Sequence, residues 1–220
     1  MNKDPQLLIE NWGTPLGIHG DGSAVSEITE ATNDMGDLSP GLYISGIFMQ
    51  AEVVNRNKRL YPKSVLQEAV TKYINEQVVT KQSLGELNHP DRASVDPMQA
   101  AILIEKLWWE GNNVMGIARI IEGDNGPGDK LAANIRAGWI PGVSSRGLGK
   151  LKSTNKGYSI VEKGYRLTVG VDAVWGPSAP DALVTPKYIT ESRDELPAIA
   201  EKGAEDDNVF RKLANNLKAL

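Results

Sequence analysis

His89 is one of two histidines in the 220-residue chain, and it lies in Gly85-Glu86-Leu87-Asn88-His89-Pro90-Asp91 beside several carboxylates. A serine pair follows in Gly142-Val143-Ser144-Ser145-Arg146-Gly147. Imidazole exchanges protons near neutral pH, so it can take the proton that makes a serine hydroxyl nucleophilic. Such a pair needs a third group to hold the imidazole and donors to meet a developing oxyanion. Ser144 and Ser145 are adjacent, so on a strand they face opposite sides and the pattern does not choose between them. On these residues alone, two serines at a strand edge are also a plain structural reading. Arg146 and Gly147 bring a cation and a pliable backbone next to them.

Three carboxylates compete for the third position. Glu86 is three residues from His89, which in an extended chain puts the two on opposite sides. Asp91 lies beyond Pro90. Asp172 alternates with apolar residues in Leu167-Thr168-Val169-Gly170-Val171-Asp172-Ala173-Val174-Trp175. A carboxylate in so apolar a strand is costly to bury without a partner, and His89 can be that partner. His19 sits in a Gly-rich stretch and reads as a loop residue.

The bulk composition excludes other chemistries. There is no cysteine, so disulfides, a thiolate nucleophile and cysteine metal sites are out. Two histidines without cysteine make a structural zinc site a poor fit. Neither metal nor cofactor is expected. A net charge of −4 and a pI near 5.3 give no basic field for nucleic acid. No apolar run approaches the roughly 18 residues that span a bilayer, and Met1 to Pro5 does not open a signal peptide. The expectation is a soluble, cytosolic protein, its length fitting one domain with tails or two small domains.

The elements that must position the site follow from periodicity. Residues 1–40 are rich in Gly, Asp, Ser, Thr and Pro and read as a flexible arm. Gly41 to Met49 reads as a strand, and Asn55-Arg56-Asn57-Lys58-Arg59 as a solvated basic turn. Pro62 opens a helix whose apolar face is Val65, Leu66, Ala69, Val70, Tyr73 and Ile74. Residues 99–121 read as a hairpin turning at Gly111-Asn112-Asn113, with Trp108-Trp109 as core and barrel wall and not a ligand box. Asp129 is expected to cap a short helix that Gly138 ends. Strands over Val143–Leu151 and Tyr165–Trp175 follow, around a turn at Asn155-Lys156-Gly157. Residues 191–220 read as an acidic linker and an amphipathic helix carrying Phe210, Leu213 and Leu217.

Four motifs carry a family resemblance: residues 85–90, Val95-Asp96-Pro97-Met98-Gln99-Ala100-Ala101, Ala137 to Gly147, and Val171 to Ala182. In this order they closely resemble the prohead core proteases of T-even-like tailed phages, over about residues 40–190 and again at Gln6 to Glu10. The resemblance implies a serine endopeptidase of capsid maturation. Its implied fold is α+β: a mostly antiparallel β-barrel wrapped by a few α-helices, similar to the herpesvirus assembly proteases. It implies Ser144 as nucleophile, His89 as base and Asp172 as third member. Ser145, Arg146 and Gly147 then line the oxyanion and substrate side. The implied organisation is a propeptide arm at 1–40, a protease domain at 41–190 and a trimmed tail at 191–220.

Such enzymes cut prohead scaffold, core and major shell proteins after a glutamate preceded two residues earlier by Leu or Ile. They work inside the prohead, in the host cytoplasm, and they cut themselves. The same pattern here ends at Glu10, Glu30, Glu191 and Glu201, all in the arm or tail; the matches ending at Glu105 and Glu122 fall in expected strands. Arg146, Arg136 and Arg56 are candidate partners for the glutamate carboxylate. A homo-oligomer is compatible with the sequence. The rival reading is an inactive scaffold or tube-like structural protein on a related barrel. An esterase-like hydrolase would require Gly-x-Ser-x-Gly, which residues 142–147 lack.

Overall fold

A computed structural model describes residues 4–12, 29–30, 38–175 and 184–189. In chain order the elements are β1 (Gln6–Trp12), β2 (Thr29–Glu30), β3 (Gly41–Gln50), β4 (Arg59–Leu60), α1 (Lys63–Tyr73), β5 (Leu84–Glu86), β6 (Ala100–Glu110), β7 (Asn113–Ile120), α2 (Pro127–Arg136), β8 (Gly142–Gly149), β9 (Leu151–Ser153), β10 (Ser159–Val161), β11 (Arg166–Val174) and β12 (Val184–Ile189). Among the described residues the strands form three sheets, ordered β1-β8-β11, β4-β10-β9 and β2-β12-β3-β7-β6-β5. Pairing is antiparallel except for β4 with β10 and β2 with β12. The fold is therefore α+β with mostly antiparallel sheets, and these ladders do not close into one barrel among the described residues.

The expected helices and hairpin form for the reasons given by their spacing. α1 buries Val65, Leu66, Ala69, Val70 and Tyr73, the face that recurs every three to four residues. β6 and β7 turn at Gly111, whose φ of +59° suits the left-handed turn position. α2 buries Leu131, Ala132 and Ile135. Asp129, however, lies inside the first turn of α2 instead of capping it. Its carboxylate accepts the N–H groups of Gly123, Asp124 and Asn125 at 2.9, 3.1 and 2.6 Å. These bonds, Gly123's foremost, lower its pKa and pin the incoming loop.

Three expectations change. Gln6–Trp12 is not loose: it pairs along its whole length with β8, and Leu8 and Glu10 are buried. The Gly-rich run that follows masks a seven-residue strand whose alternate residues face inward. Second, the turn at 155–157 joins two short strands, β9 and β10, because β8 already ends at Gly149. Third, the tryptophans separate: Trp109 packs on the core while Trp108 is 37% exposed. Neighbours on a strand cannot share a face. The expected linker and helix at 191–220 lie outside the described residues, as does His19.

Two sheets meet at the end of β5. Leu87 bridges Ala173 of β11 in parallel, and the Asn88 N–H donates to the Ala173 carbonyl at 2.7 Å. Gly85 makes this approach possible, since a Cβ there would stand 2.1 Å from the Val171 carbonyl oxygen and 2.9 Å from Ile102. Gly85→Ala is expected to cost about 1–3 kcal/mol, as overpacking against backbone does. The urea midpoint measures it; an unchanged midpoint would mean the strands separate freely.

Candidate active site

β8 sets the geometry. Alternation along it turns Ser144 and Arg146 to one face and Ser145 and Gly147 to the other. In register, Asp172 of β11 stands opposite Ser144. β5 delivers the histidine: after Glu86 the chain bends at Asn88, whose φ is +75°. Asparagine tolerates this left-handed conformation better than bulkier residues, and the bend turns His89 toward the two sheets' junction.

The imidazole lies between two groups. His89 Nδ1 is 3.1 Å from Asp172 Oδ2, and Nε2 contacts Ser144 Oγ. An Nδ1–H given to the carboxylate leaves the Nε2 lone pair facing the hydroxyl. Ser144 Oγ also lies 2.6 Å from the backbone carbonyl oxygen of Glu10 in β1. The hydroxyl has one proton and two acceptors. Rotated one way it donates to the Glu10 carbonyl; rotated the other it donates to His89 Nε2. Ser144 and Asp172 are fully buried.

Asp172 is held from every side. Oδ1 accepts the Glu86 N–H at 2.8 Å and Arg146 Nη2 at 2.9 Å. Arg146 Nε approaches Oδ2 at 2.7 Å as an ion pair, without hydrogen-bond alignment. The rest of that guanidinium is also committed. Nη1 donates to the carbonyls of Arg92 and Ser94, each at 2.9 Å, and Nη2 reaches Glu86 Oε1 at 3.3 Å. A guanidinium has five N–H groups; the four on Nη1 and Nη2 donate hydrogen bonds here, and the fifth, on Nε, faces Asp172 in the ion pair alone. Arg146 is thus not the expected oxyanion donor or glutamate partner. Strand alternation buries its side chain beneath Asp172, and it acts as a brace.

Glu86 and Asp91 do not take the third position either. The Glu86 carboxylate is engaged elsewhere: it accepts both contacts of Arg92 Nη2 at 2.7 Å and the Asp96 N–H at 2.8 Å. Asp91 is exposed. Ser145 turns to the opposite face, where it hydrogen-bonds the buried Tyr165 phenol. Gly147 leaves room for that ring: a Cβ would stand 2.4 Å from the Tyr165 hydroxyl.

The remaining sequence candidates scatter. Arg136 pairs with Glu122 at 2.5 Å, and Arg56 is exposed. Glu30 falls in β2 beside β12, while Glu191 and Glu201 lie outside the described residues. Glu10 is the exception: the strand carrying it crosses the serine. Its carboxylate meets Asn55, Asn57, Arg59 and Tyr61. Composition alone reads these residues as a solvated turn and the approach to a helix. Local spacing does not reveal the cluster: residues 55–58 form a turn, with the Lys58 N–H donating to the Asn55 carbonyl at 2.9 Å, and it is this turn that brings the four side chains to one carboxylate.

Comparison with known proteins adds a second line. A family model described as prohead core protein serine protease matches residues 7–194. The chain is 67% identical over 215 residues to the prohead core protein protease of Enterobacteria phage T4, covering 98% of each. The solved structure of the bacteriophage T4 capsid assembly protease superposes with a TM-score of 0.70 at 68% identity, covering 80% of this chain and 100% of that one.

Proposed function

The chain belongs to the prohead core protein serine protease family, and from that premise we propose that it is a serine endopeptidase that cuts core, scaffold and shell proteins of a viral prohead after glutamate, and trims itself. Protease activity in phage capsid assembly follows from the family. The finer reading rests on one observation: the imidazole of His89 touches both Ser144 Oγ and Asp172 Oδ2.

In this reading Ser144 Oγ attacks the carbonyl carbon of a glutamate in the target. His89 Nε2 takes the hydroxyl proton and passes it to the leaving amine, while Asp172 holds Nδ1–H and stabilises the imidazolium. The acyl-enzyme is then released by water. Backbone N–H groups between Ser144 and Gly147 are the proposed oxyanion donors, since the Arg146 side chain is engaged elsewhere. Kinship in fold with the herpesvirus assembly proteases belongs to the same reading, supported by the mostly antiparallel strands that carry serine and aspartate. The arm and tail, including Glu30, Glu191 and Glu201, are proposed trimming sites, and the work is proposed to occur inside the prohead.

Mass spectrometry tests this. The full chain, incubated with prohead core and shell proteins, is expected to yield new C-termini ending in glutamate with Leu or Ile two residues before. Cuts distributed without regard to glutamate, or no cuts at all, would sink it. An inactive structural role would leave all chains intact.

A further inference from the structure

We infer that Asn55, Asn57, Arg59 and Tyr61 form the pocket that selects glutamate before the cut bond, and that β1 fills this pocket in cis as the enzyme's own first substrate. The inference rests on the endopeptidase reading and specifies its selectivity.

The geometry begins at the backbone. β1 runs antiparallel to β8, with Glu10 opposite Ser145 and Asn11 opposite Ser144. The 2.6 Å contact from Ser144 Oγ to the Glu10 carbonyl puts the nucleophile beside the bond joining residues 10 and 11. An extended segment added to a strand edge is how many proteins bind peptide, with main-chain pairing for grip and pockets for alternate side chains.

The pocket then reads the side chain. Glu10 is fully buried. Its Oε1 accepts from Arg59 Nη1 at 2.7 Å and from the Tyr61 hydroxyl at 2.8 Å. Its Oε2 accepts from Asn55 Nδ2 at 2.6 Å and Asn57 Nδ2 at 3.0 Å. Four donors therefore meet two oxygens, with one full cation among them. Burial, with Tyr165 and Glu10 adding to it, pushes the Tyr61 phenol well above its ordinary value, so it stays a donor. A glutamine would turn an NH2 toward two donors on one side and lose the ion pair, leaving buried donors unmatched. The turn is also built in advance: the Arg59 N–H donates to Asn55 Oδ1 at 3.0 Å, and Asn55 N–H to the Arg59 carbonyl at 2.9 Å. Asn57 further donates to the Ile9 carbonyl at 2.9 Å.

The covalent step balances simply. A bond forms between Ser144 Oγ and the Glu10 carbonyl carbon, and the bond to the Asn11 nitrogen breaks. His89 carries the serine proton to that nitrogen. Water then restores Ser144 and frees the Glu10 carboxylate.

The test uses the full chain, with the rate of appearance of the fragment ending at residue 10 read by mass spectrometry. Glu10→Gln is expected to slow this cut about 10²- to 10³-fold. In an Arg59→Gln background the same change is expected to cost less than about tenfold, and Arg59→Lys should recover part of the preference. Asn57 is exposed, so Asn57→Asp provides a variant that keeps its fold; it should slow the cut more when Glu10 is intact than in the Glu10→Gln background. An equal Glu10→Gln penalty in all backgrounds overturns the pocket. A wild-type chain that cuts itself at other glutamates but never after Glu10 overturns it too, while leaving the protease reading standing. A chain that cuts nothing fails that reading, and the pocket with it.

Discussion

Ser144→Ala is expected to lower self-trimming and substrate cleavage by about 10⁴- to 10⁶-fold while leaving the fold in place. The expected loss is large because in the proposed mechanism nucleophile and base work as one unit. Without Oγ, His89 has no proton to take and no acyl-enzyme forms. The structural cost is small. Oγ is a single buried atom whose partners are His89 Nε2 and the Glu10 carbonyl, so the change should cost about 1–3 kcal/mol. Mass spectrometry over days separates the cases: the variant should keep its full-length mass while wild type shortens. Persistent trimming in purified Ser144→Ala would remove the nucleophile assignment. Ser145→Ala is the control. Its hydroxyl serves Tyr165 on the opposite face, so activity should stay within about tenfold of wild type.

Arg146→Met should be the most damaging change to stability, at about 3–5 kcal/mol, the usual effect of removing one partner from a buried ionic cluster. The guanidinium is fully buried and binds two carboxylates and two carbonyls. Methionine fills much of the volume but returns none of the five N–H groups. Glu86 retains Arg92 and the Asp96 N–H, whereas Asp172 is left with the Glu86 N–H and His89. Against a typical total of about 5–15 kcal/mol, such a loss is severe. Arg146→Lys should recover only part of it, because an ammonium cannot present the planar fork that spans Asp172 and Glu86. Denaturant midpoints of the three proteins in the Ser144→Ala background, where trimming does not interfere, measure the effect. A loss below about 1 kcal/mol would mean that water replaces the guanidinium and that the brace is dispensable.

Local order is readable wherever one periodicity governs a stretch. α1 and the β6–β7 hairpin follow from apolar spacing and a glycine turn. β1 escapes such a reading because its seven residues precede a glycine-rich run, and its partner β8 lies far along the chain. Within the site, His89 stands out through rarity, and Asp172 through the cost of burying a carboxylate in an apolar strand. The role of Arg146 is hidden for a definite reason. Sequence parity fixes which residues share a face, but not what distant segment covers it, and here the cover is Asp172 and Glu86. Arg59 is hidden in the same way, since nothing near it in sequence hints at Glu10.

The strand-on-strand seating of Gln6–Trp12 has a consequence for when cutting happens. Any polypeptide taking that place has to lie straight for several residues, its own amides matched to those of β8. On the proposed substrate seating, a target glutamate inside a helix or a folded lobe would be silent, whatever its neighbours. On that proposal, once β1 has left, timing passes to the target: a site opens to cutting when assembly unravels the chain around it.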